Sequence, residues 1–540
     1  MDAATWTATL VANPTILQYF LIALLFGCAI SFGPIYMLCY SLTPPLVLGY
    51  VIGLILGHPM DDAILGAYIG LIYMGVISVG GTQPSNPMIG TVVGVVVAFK
   101  GGLGYEAALA IAVPIGIAFA SLRNWVNTLA CFFSANLDRA VEKKNPGMMW
   151  FWGAANMFFK VAIFTVMMFL VMVLGIDQIS NVMGNLPAWA TTGLNVAGNA
   201  LPAVGIALGL VFIGKEGKIF YMVIAFILCE YLGLSTLVLV VLAVCALVIY
   251  TYSKIQNGSL DLSFFKEAET RQEHLLTAKD AIKATFITEN FIEWGNNTAT
   301  KNAEAIMLGL STVMKKLYPG NVDRQMEELE KHEQFINTNY QFLGMLVAPY
   351  VAMEEERALG NENITPDTIR AFGSSMQGPV AAIGDPMVQS VYNTIIKSVG
   401  ISMVLAGSIA GVYFTYFGFV IFKVVAAILI GWAGYKYGGA LIEKLYSSGA
   451  ATYFTGIAGI VGCVAFGALA ASTVKLNLGL VVADVNLQTT MLDAIMEGIL
   501  PLALTLGCYS ILKKKKMSTV VLLCVVFFGA FILGALGICA

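Results

Sequence analysis

Two segments of the chain combine hydrogen-bonding side chains with glycine and proline inside otherwise apolar sequence. One reads GGTQPSNPMIGT, Gly80–Thr91, and the other reads GPVAAIGDP, Gly378–Pro386, with Gln377 directly before it. Amide, hydroxyl and carboxylate groups can donate and accept the paired hydrogen bonds that a polyhydroxyl ligand requires. These residue types therefore predict recognition of a sugar.

Six side chains are our candidates for contacts with this ligand. They are Thr82, Gln83, Asn86, Gln377, Asp385 and Asn195. Asp385 would be the anionic acceptor among neutral partners, and the alternative is that it only ties a broken helix together. Asn195 lies with Asn199 in the glycine-flanked segment GLNVAGN, where helix packing is the stronger alternative.

The backbone at these segments supports the same interpretation. Asn86 and Asp385 each precede a proline, and the steric restriction before proline predicts that both residues leave α-helical geometry. Irregular backbone at membrane depth is tolerated where protein or a watery cavity satisfies it. Glycine- and proline-broken segments in two matching halves are typical of a transporter substrate site.

The sequence gives little indication that this chain itself catalyses a reaction. The chain has three histidines, and none has a second catalytic group at a recognisable spacing. His332 in KHEQFINTN invites interpretation as a phospho-acceptor, but a charged surface helix explains it more simply. The nine cysteines lie almost entirely in apolar runs without a CxxC pair, so the sequence predicts no metal site and no cofactor.

The composition decides the class of protein. The chain has 540 residues, of which 58% are hydrophobic and 11% are charged, whereas a soluble domain carries about 25% charged residues. This excludes a water-soluble globular enzyme. The net charge of -3 provides none of the clustered basic surface of a nucleic-acid-binding protein. We predict an all-α polytopic membrane protein.

The charges are distributed unevenly along the chain. Thirty of the charged residues lie between Lys254 and Arg370, which separates two apolar blocks by a hydrophilic middle. We therefore predict a membrane domain at residues 1–253, a hydrophilic linker at 254–283 and a second domain at 284–540. The second domain is expected to begin with amphipathic helices over 284–342.

Several apolar runs are shorter than the roughly 20 residues that a helix needs to cross a bilayer, which predicts broken or re-entrant segments. The apolar runs of the first block, short and long together, are Ile16–Leu38, Pro45–Leu56, Ala63–Val79, Met88–Ala98, Ala107–Ala120, Trp150–Leu174, Ala200–Ile213 and Ile219–Tyr250. The last run is long enough for two helices, which should turn near Glu230–Gly233. In the second block the runs are Gly400–Phe422, Val424–Tyr435, Ala450–Ala471, Ile499–Leu512 and Val520–Ile538.

The hydrophilic middle also has helical patterns. Apolar residues at helical spacing predict an amphipathic helix at Ala303–Leu317, followed by a charged helix at Asn321–Gln334. A further helix should close before Gly360. We interpret the charges of these helices as solvated or interfacial faces.

These motifs resemble two components of a known transport family. The first block, through GGTQPSNPMIGT and TTGLNVAGNALPAVG (Thr191–Gly205), resembles the IIC component of the mannose-fructose-sorbose family of the bacterial phosphotransferase system. The second block resembles the IID component through GPVAAIGDP and three further motifs. These are KKLYPGN (Lys315–Asn321), KHEQFINTN (Lys331–Asn339) and AMEEERALG (Ala352–Gly360).

The resemblance implies a multi-pass sugar permease of the bacterial inner membrane. IIC and IID would together form the translocation unit, with an elevator-type core of two inverted repeats and a homotrimeric assembly in membrane lipid. Phosphate would arrive on histidine from separate cytoplasmic IIA and IIB proteins, so this chain would transport rather than catalyse. Fusion of the two components departs from the usual separate subunits.

The sugar and the energy source stay open at this point. Mannose-type members carry acidic residues around the broken segment, whereas this chain has Gln-Pro-Ser-Asn there and Gly70 where a glutamate is expected, so the resemblance allows a hexose or an amino sugar. An ion-coupled secondary sugar transporter would instead use Asp385, Glu230 or Asp493. A non-transporting receptor is the third alternative.

Overall fold

The computed structural model describes most of the chain. The described residues are 14–33, 35–74, 86–101, 105–119, 122–185, 187–214, 217–257, 274–297, 299–437, 450–482, 485–515 and 517–539. Thr82 and Gln83 lie outside these residues, as does much of the predicted linker. The other four candidate contacts are described.

The fold is nearly all helical. In the first half the helices are α1 (Ile16–Ser31), α2 (Tyr36–Tyr40), α3 (Pro45–Leu56), α4 (Pro59–Ile72), α5 (Pro87–Gly101), α6 (Tyr105–Ala118), α7 (Leu122–Glu142), α8 (Pro146–Gly184), α9 (Ala188–Ala200), α10 (Pro202–Ile213), α11 (Ile219–Leu232) and α12 (Thr236–Gln256). Apolar residues dominate α3, α4 and α10, and most residues of these three helices are buried against other helices.

The second half continues the helical pattern with two π-helical segments. Its helices are α13 (Ala278–Asn290), α14 (Ile292–Gly295), α15 (Ala303–Leu317), α16 (Val322–Glu330), α17 (Gly344–Ala358), α18 (Pro366–Gly384), π1 (Asp385–Tyr392), α19 (Asn393–Leu405), α20 (Ala410–Tyr437), α21 (Ala450–Thr473), π2 (Gln488–Leu492), α22 (Asp493–Ile495), α23 (Ile499–Lys515) and α24 (Thr519–Ala535). Two-residue strands, Val481–Val482 and Val485–Asn486, pair antiparallel.

Five of the described helical stretches are long and apolar enough to cross a membrane, and a sixth span results if π2 to α23, bent by 63°, is counted as one. The five are Ala108–Glu142, Pro146–Ile179, Ala188–Val211, Thr236–Gln256 and Ala410–Tyr437. Most of the remaining apolar helices are short, as the sequence predicts. The two helices over Ile219–Tyr250 are also confirmed, because Gly233 adopts the left-handed conformation between α11 and α12.

One predicted span boundary is wrong. The sequence pattern breaks the helix at Lys423, between the runs Gly400–Phe422 and Val424–Tyr435, but the chain turns at Gly407 and α20 continues through Lys423. The reason is that this lysine is buried, with 4% of its surface exposed. Its ammonium lies over the ring of Tyr36, so its charge does not need water at a helix end.

The prediction that Asp385 leaves helical geometry is also wrong. Asp385 has φ -63° and ψ -48°, and it continues α18 directly into π1. A π-helical turn has a different hydrogen-bonding register, which accommodates the missing N–H of the following proline. Asn86 behaves as predicted, since it lies just outside the N-terminus of α5.

The amphipathic helix at Ala303–Leu317 is confirmed with the same bounds. The interpretation of His332 as a surface residue is wrong, because it has 2% of its surface exposed and its Nε2 lies 2.9 Å from Glu354 Oε1. Glu354 and Glu355 are fully buried as well. The charges of these segments therefore divide into two groups. The buried carboxylates Glu328, Glu354 and Glu355 have ion-pair or hydrogen-bond partners in the second half, whereas Lys315 and Lys316 are exposed, as the sequence predicts.

The two halves pack against each other along several helices. α4 contacts α19, α9 contacts α24, and α11 contacts α21. Small residues permit these close approaches. Gly193, for example, faces the Phe531 backbone so closely that a β-carbon would lie 2.7 Å from its carbonyl oxygen.

The close contact between α3 and α4 gives a test of this packing. A β-carbon on Gly66 would overlap the carbonyl oxygen of Pro45, so we expect Gly66→Ala to lower the free energy of unfolding by about 1–3 kcal/mol through overpacking. Thermal unfolding of the purified protein in detergent measures this loss. Gly507→Ala is the control, because nothing lies within 4 Å of its added methyl group. Equal melting temperatures of the two variants would contradict the packing described here.

Candidate functional site

A cavity of about 390 Å³ lies where the two halves meet. Its polar and aromatic lining from the first half consists of Phe32, Tyr36, Tyr40, Thr43, Tyr73, Arg123, Asn124 and Asn127. From the second half it consists of Asn296, Lys301, Asn337, Thr338, Asn339, Tyr340, Gln341, Asp385 and Lys397. This size is within the usual range for small-molecule sites, and the lining supplies amide groups, hydroxyl groups and aromatic faces together.

An aromatic wall closes one side of the cavity. The rings of Tyr36 and Tyr40 stack, with centroids 5.1 Å apart, and Phe32 meets both edge to face. The Lys423 ammonium lies 3.7 Å from the centroid of the Tyr36 ring. Asn393, from the second half, donates a hydrogen bond to the Tyr40 hydroxyl at 3.1 Å. The wall is therefore held from both halves.

The segment 337–341 presents amide side chains to the cavity. Asn339 donates from Nδ2 to Asp385 Oδ1 at 2.7 Å, while its own Oδ1 accepts from the backbone N–H of Gln341 at 3.0 Å. Gln377 Oε1 accepts from the backbone N–H of Asn337, and its carbonyl accepts from the Thr338 hydroxyl. α18 and π1 thus fix a stretch of backbone that has no regular structure of its own.

The loop 296–302 contributes Asn296 and Lys301 to the lining. Glu304 Oε1 anchors this loop by accepting from Asn297 Nδ2 at 2.8 Å and from the Thr300 hydroxyl at 2.5 Å. Burial raises the pKa of the Glu304 carboxyl to about 7, and the hydrogen bonds from Thr300 and Asn297 act in the opposite direction. The loop is thereby locked to α15.

A buried ion cluster joins the halves beside the cavity. Glu293, with 1% of its surface exposed, lies 2.5 Å from Arg123 Nη2 and 3.2 Å from Lys160 Nζ, both from the first half. Arg123 also lines the cavity and stacks over Phe32 at 3.9 Å. Asn296 donates to the same carboxylate at 3.1 Å and to the Tyr340 hydroxyl at 3.0 Å.

The structure brings one predicted contact into the cavity and another next to it. Asp385 lines it, and Gln377 supports it through Asn337 and Thr338. Asn86 is 1% exposed, and its Oδ1 accepts from the backbone N–H groups of Met88 and Ile89, so it caps α5. Its neighbours Pro87 and Met88 line the cavity.

The remaining polar candidates lie elsewhere. Asn195 is exposed on α9, a helix that packs on α24. Glu230 and Asp493, the other carboxylates considered for ion coupling, are not among the described residues that line the cavity. Asp493 instead accepts a hydrogen bond from Gln488 at 2.7 Å.

Sequence reasoning missed the segment 337–341 and the tyrosines of the aromatic wall. Asn337 and Asn339 of this segment are the asparagines at the end of the motif KHEQFINTN, in which the histidine and the charged residues are the more conspicuous features. A cluster of amides followed by Tyr340 was the available signal. Tyr36 and Tyr40 have the i, i+4 spacing of one helical face, but nothing in the sequence links that face to residues 300 positions away.

Comparison with known proteins identifies the family. A profile described as "PTS system mannose/fructose/sorbose family IID component" matches residues 275–539, and one described as "PTS system sorbose-specific iic component" matches residues 16–249. The chain belongs to the mannose/fructose/sorbose family of the phosphotransferase system. It joins a IIC and a IID component in one polypeptide, which confirms the resemblance noted from the motifs.

Curated relatives match each half. The sorbose-specific EIID component of Lacticaseibacillus casei is 32% identical over 270 residues, covering 48% of this chain and 93% of the relative. The mannose-specific EIID component of Escherichia coli K12 is 28% identical over 259 residues, covering 46% and 89%. N-acetylgalactosamine permease IIC component 1 of Escherichia coli K12 is 26% identical over 232 residues, covering 43% and 86%.

A solved structure, the cryo-EM complex of the mannose transporter ManYZ with microcin E492, is 25% identical with a TM-score of 0.29, covering 48% of this chain and 97% of that chain. The family assignment rests on the profiles and the curated relatives. It identifies the chain as a sugar-specific permease of the phosphotransferase system and a multi-pass inner-membrane protein. The family further implies a sugar substrate and cytoplasmic IIA and IIB partners.

The ion cluster beside the cavity gives a stability test. We expect Glu293→Gln to lower the free energy of unfolding by about 3–5 kcal/mol, because the buried charges of Arg123 and Lys160 lose their shared carboxylate. Thermal unfolding in detergent measures the loss. The control is Glu327→Gln, which breaks a solvent-exposed pair with Lys144 and should leave the melting temperature unchanged. A melting temperature for Glu293→Gln within error of the unmodified protein would contradict the assigned role.

Proposed function

We propose that the cavity between the halves is the sugar site of a permease that imports a hexose or an amino sugar. A separate phospho-IIB protein then phosphorylates the bound sugar. The observation that carries this proposal is the composition of the lining, because amides from the IID-like half and tyrosines from the IIC-like half face one enclosed space. Both halves contribute amides and tyrosines, since Asn124 and Asn127 belong to the first half and Tyr340 to the second, so the lining is complete only where the halves meet.

The lining has the chemistry that a sugar requires. Asn124, Asn127 and Gln341 supply amides that both donate and accept, and Thr338 supplies a hydroxyl. Asp385 accepts the hydrogen bond from Asn339 through Oδ1. Its Oδ2 would accept a charge-assisted hydrogen bond from a sugar hydroxyl. Tyr40, which lines the cavity and is less buried than Tyr36, would pack against the apolar side of the sugar ring.

The candidate contacts outside the lining keep a place in this proposal. Asn86 and Gln377 would position the backbone on either side of the sugar, and Thr82 and Gln83 precede Asn86 in the sequence. Asn195 would act at another stage of transport, since it is exposed on α9.

We also propose the division of the chain into a IIC-like domain at 1–253, a linker at 254–283 and a IID-like domain at 284–540. The IIC family match ends at residue 249 and the IID family match begins at residue 275, which supports a join between these positions. One polypeptide fixes the ratio of the two components at one to one. The cavity needs that ratio because both components line it.

Transport would follow an elevator-type movement of two inverted repeats in a homotrimer. Two features beside the cavity support such a core, namely the start of α5 at Pro87 and the π-helical segment π1, which continues α18 from Asp385. α12 leaves most of its apolar surface exposed within the single chain. That surface would meet lipid or neighbouring copies.

The identity of the sugar depends on the cavity near Gly70. This glycine lines the cavity, at the position where the resemblance to mannose-type members predicts a glutamate. Relatives are named for mannose, sorbose and N-acetylgalactosamine, and both a hexose and an amino sugar fit the proposal.

Dependence on phosphoenolpyruvate tests the function directly. In membranes that contain this chain with its IIA and IIB partners, we expect sugar phosphate to form from at least one of mannose, fructose, sorbose and N-acetylgalactosamine. Formation should require phosphoenolpyruvate and persist with an uncoupler. Membranes without the chain are the control. Uptake that collapses with the uncoupler and ignores phosphoenolpyruvate would identify an ion-coupled transporter instead.

Two substitutions test the site. Asp385→Asn keeps the shape of the side chain but removes its charge, and Asn339→Ala removes the amide beside it. We expect each to reduce sugar phosphorylation roughly 10- to 100-fold, the loss of one or two hydrogen bonds. Asn363→Ala, on an exposed loop, is the control. Full phosphorylation by both site variants would contradict the location of the site and would also favour a receptor that does not transport.

A further inference from the structure

We propose that the sugar cavity contains an anion subsite formed by cations of its lining, Lys301 and Lys397 together with Arg123. Its ligand is a sugar that carries a carboxylate or a phosphate group. This inference rests on the proposed function, because it specifies the substrate or product class of the same cavity.

The charges of the lining carry the proposal. Among the described lining residues, Arg123, Lys301 and Lys397 are cations and Asp385 is the one carboxylate. Asp385 already accepts a hydrogen bond from Asn339. A neutral sugar would leave the excess positive charge without a partner.

Arg123 does not cancel the excess. Its partner Glu293 is shared with the buried Lys160, so one carboxylate faces two cations. The cluster therefore contributes net positive charge to the side of the cavity that Arg123 lines. This charge acts across a largely buried region, where screening by water is weak.

Lys301 is held in an unusual backbone conformation. Its φ of 59° lies in the left-handed region, which non-glycine residues seldom adopt. Hydrogen bonds on both sides impose it, from Asn302 N–H to the Ile336 carbonyl at 3.0 Å and from Ile336 N–H to the Thr300 carbonyl at 3.2 Å. Such strain concentrates at ligand sites. Here it presents a lysine where glycine would be easier for the backbone.

Lys397 reaches the cavity from α19, one turn after π1 ends. π-helical insertions are frequent at functional sites because they change which side chains face a given direction. Within the described part of the chain, no carboxylate lies at ion-pair distance from the ammonium of Lys397 or Lys301. A lysine inside a membrane protein is costly unless an anion or water meets it.

Two anions have the required chemistry. A sugar acid would bring a carboxylate with the substrate, whereas phosphorylation would place a phosphate on a neutral sugar in the same cavity. Both anions accept hydrogen bonds from ammonium and guanidinium groups. In the second case the subsite would retain or release the product of the permease.

Binding to the purified full-length chain in nanodiscs distinguishes these cases. The probes are glucose, mannose and galactose, their 6-phosphates, and glucuronate, mannuronate and galacturonate. For at least one sugar we expect an anionic form to bind at least tenfold more tightly than its neutral parent. Tighter binding of the uronate indicates an acidic substrate, and tighter binding of the 6-phosphate alone indicates a product subsite.

Lys301→Gln and Lys397→Gln should each weaken binding of that anion about tenfold and change binding of the neutral parent less than threefold. Lys475→Gln, at an exposed position, is the matched control and should change neither. The proposal is overturned if no anion binds more tightly than its parent, or if the variants weaken both forms equally. These binding measurements contain no IIA or IIB protein, so they do not depend on sugar phosphorylation. Failure of the phosphorylation experiment would contradict the proposed function without changing the result for the anion subsite.

Discussion

The cavity depends on the ion pairs and the hydrogen bond that the buried carboxylate of Glu293 accepts. It receives Arg123 and Lys160 from the IIC-like half and Asn296 from its own half. A carboxylate at this depth would be very unfavourable without such partners, and the two cations would be equally unfavourable without it. The cluster therefore fixes the relative position of the halves, and it orients Arg123 and Asn296 along the wall of the cavity.

The need of buried polar groups for hydrogen-bond partners also explains how the irregular backbone around the site is held. The loop 296–302 and the segment 337–341 lack helical hydrogen bonds, so side chains satisfy them. Glu304 anchors the first through Asn297 and Thr300, while Gln377 and Asp385 hold the second. Helical packing of α15, α17 and α18 provides the rigid frame for these side chains. The amide groups that face the cavity are consequently presented in fixed directions without belonging to a regular element.

Fusion of IIC and IID fits this architecture. Ion pairs and hydrogen bonds cross between the halves at Arg123, Lys160 and Tyr40, and apolar helices pack across the same boundary. An interface with buried charge is costly to expose, because each separated ion would lose its partner. Covalent linkage raises the effective concentration of one half for the other. The join favours assembly of a site that neither half completes.

The sequence by itself determined the class of protein, the two-block organisation and the family, because hydrophobicity, charge distribution and local motifs are properties of neighbouring residues. It also predicted the helix at Ala303–Leu317, and it singled out Asp385, a residue that lines the cavity. It could not find the pairing of Asn339 with Asp385, the burial of His332 or the stacking of Tyr36 beneath Lys423. Those depend on contacts between residues far apart in the chain. Only the tertiary structure decides them, since burial and partner, rather than residue type, determine whether a charge is solvated, paired or available to a ligand.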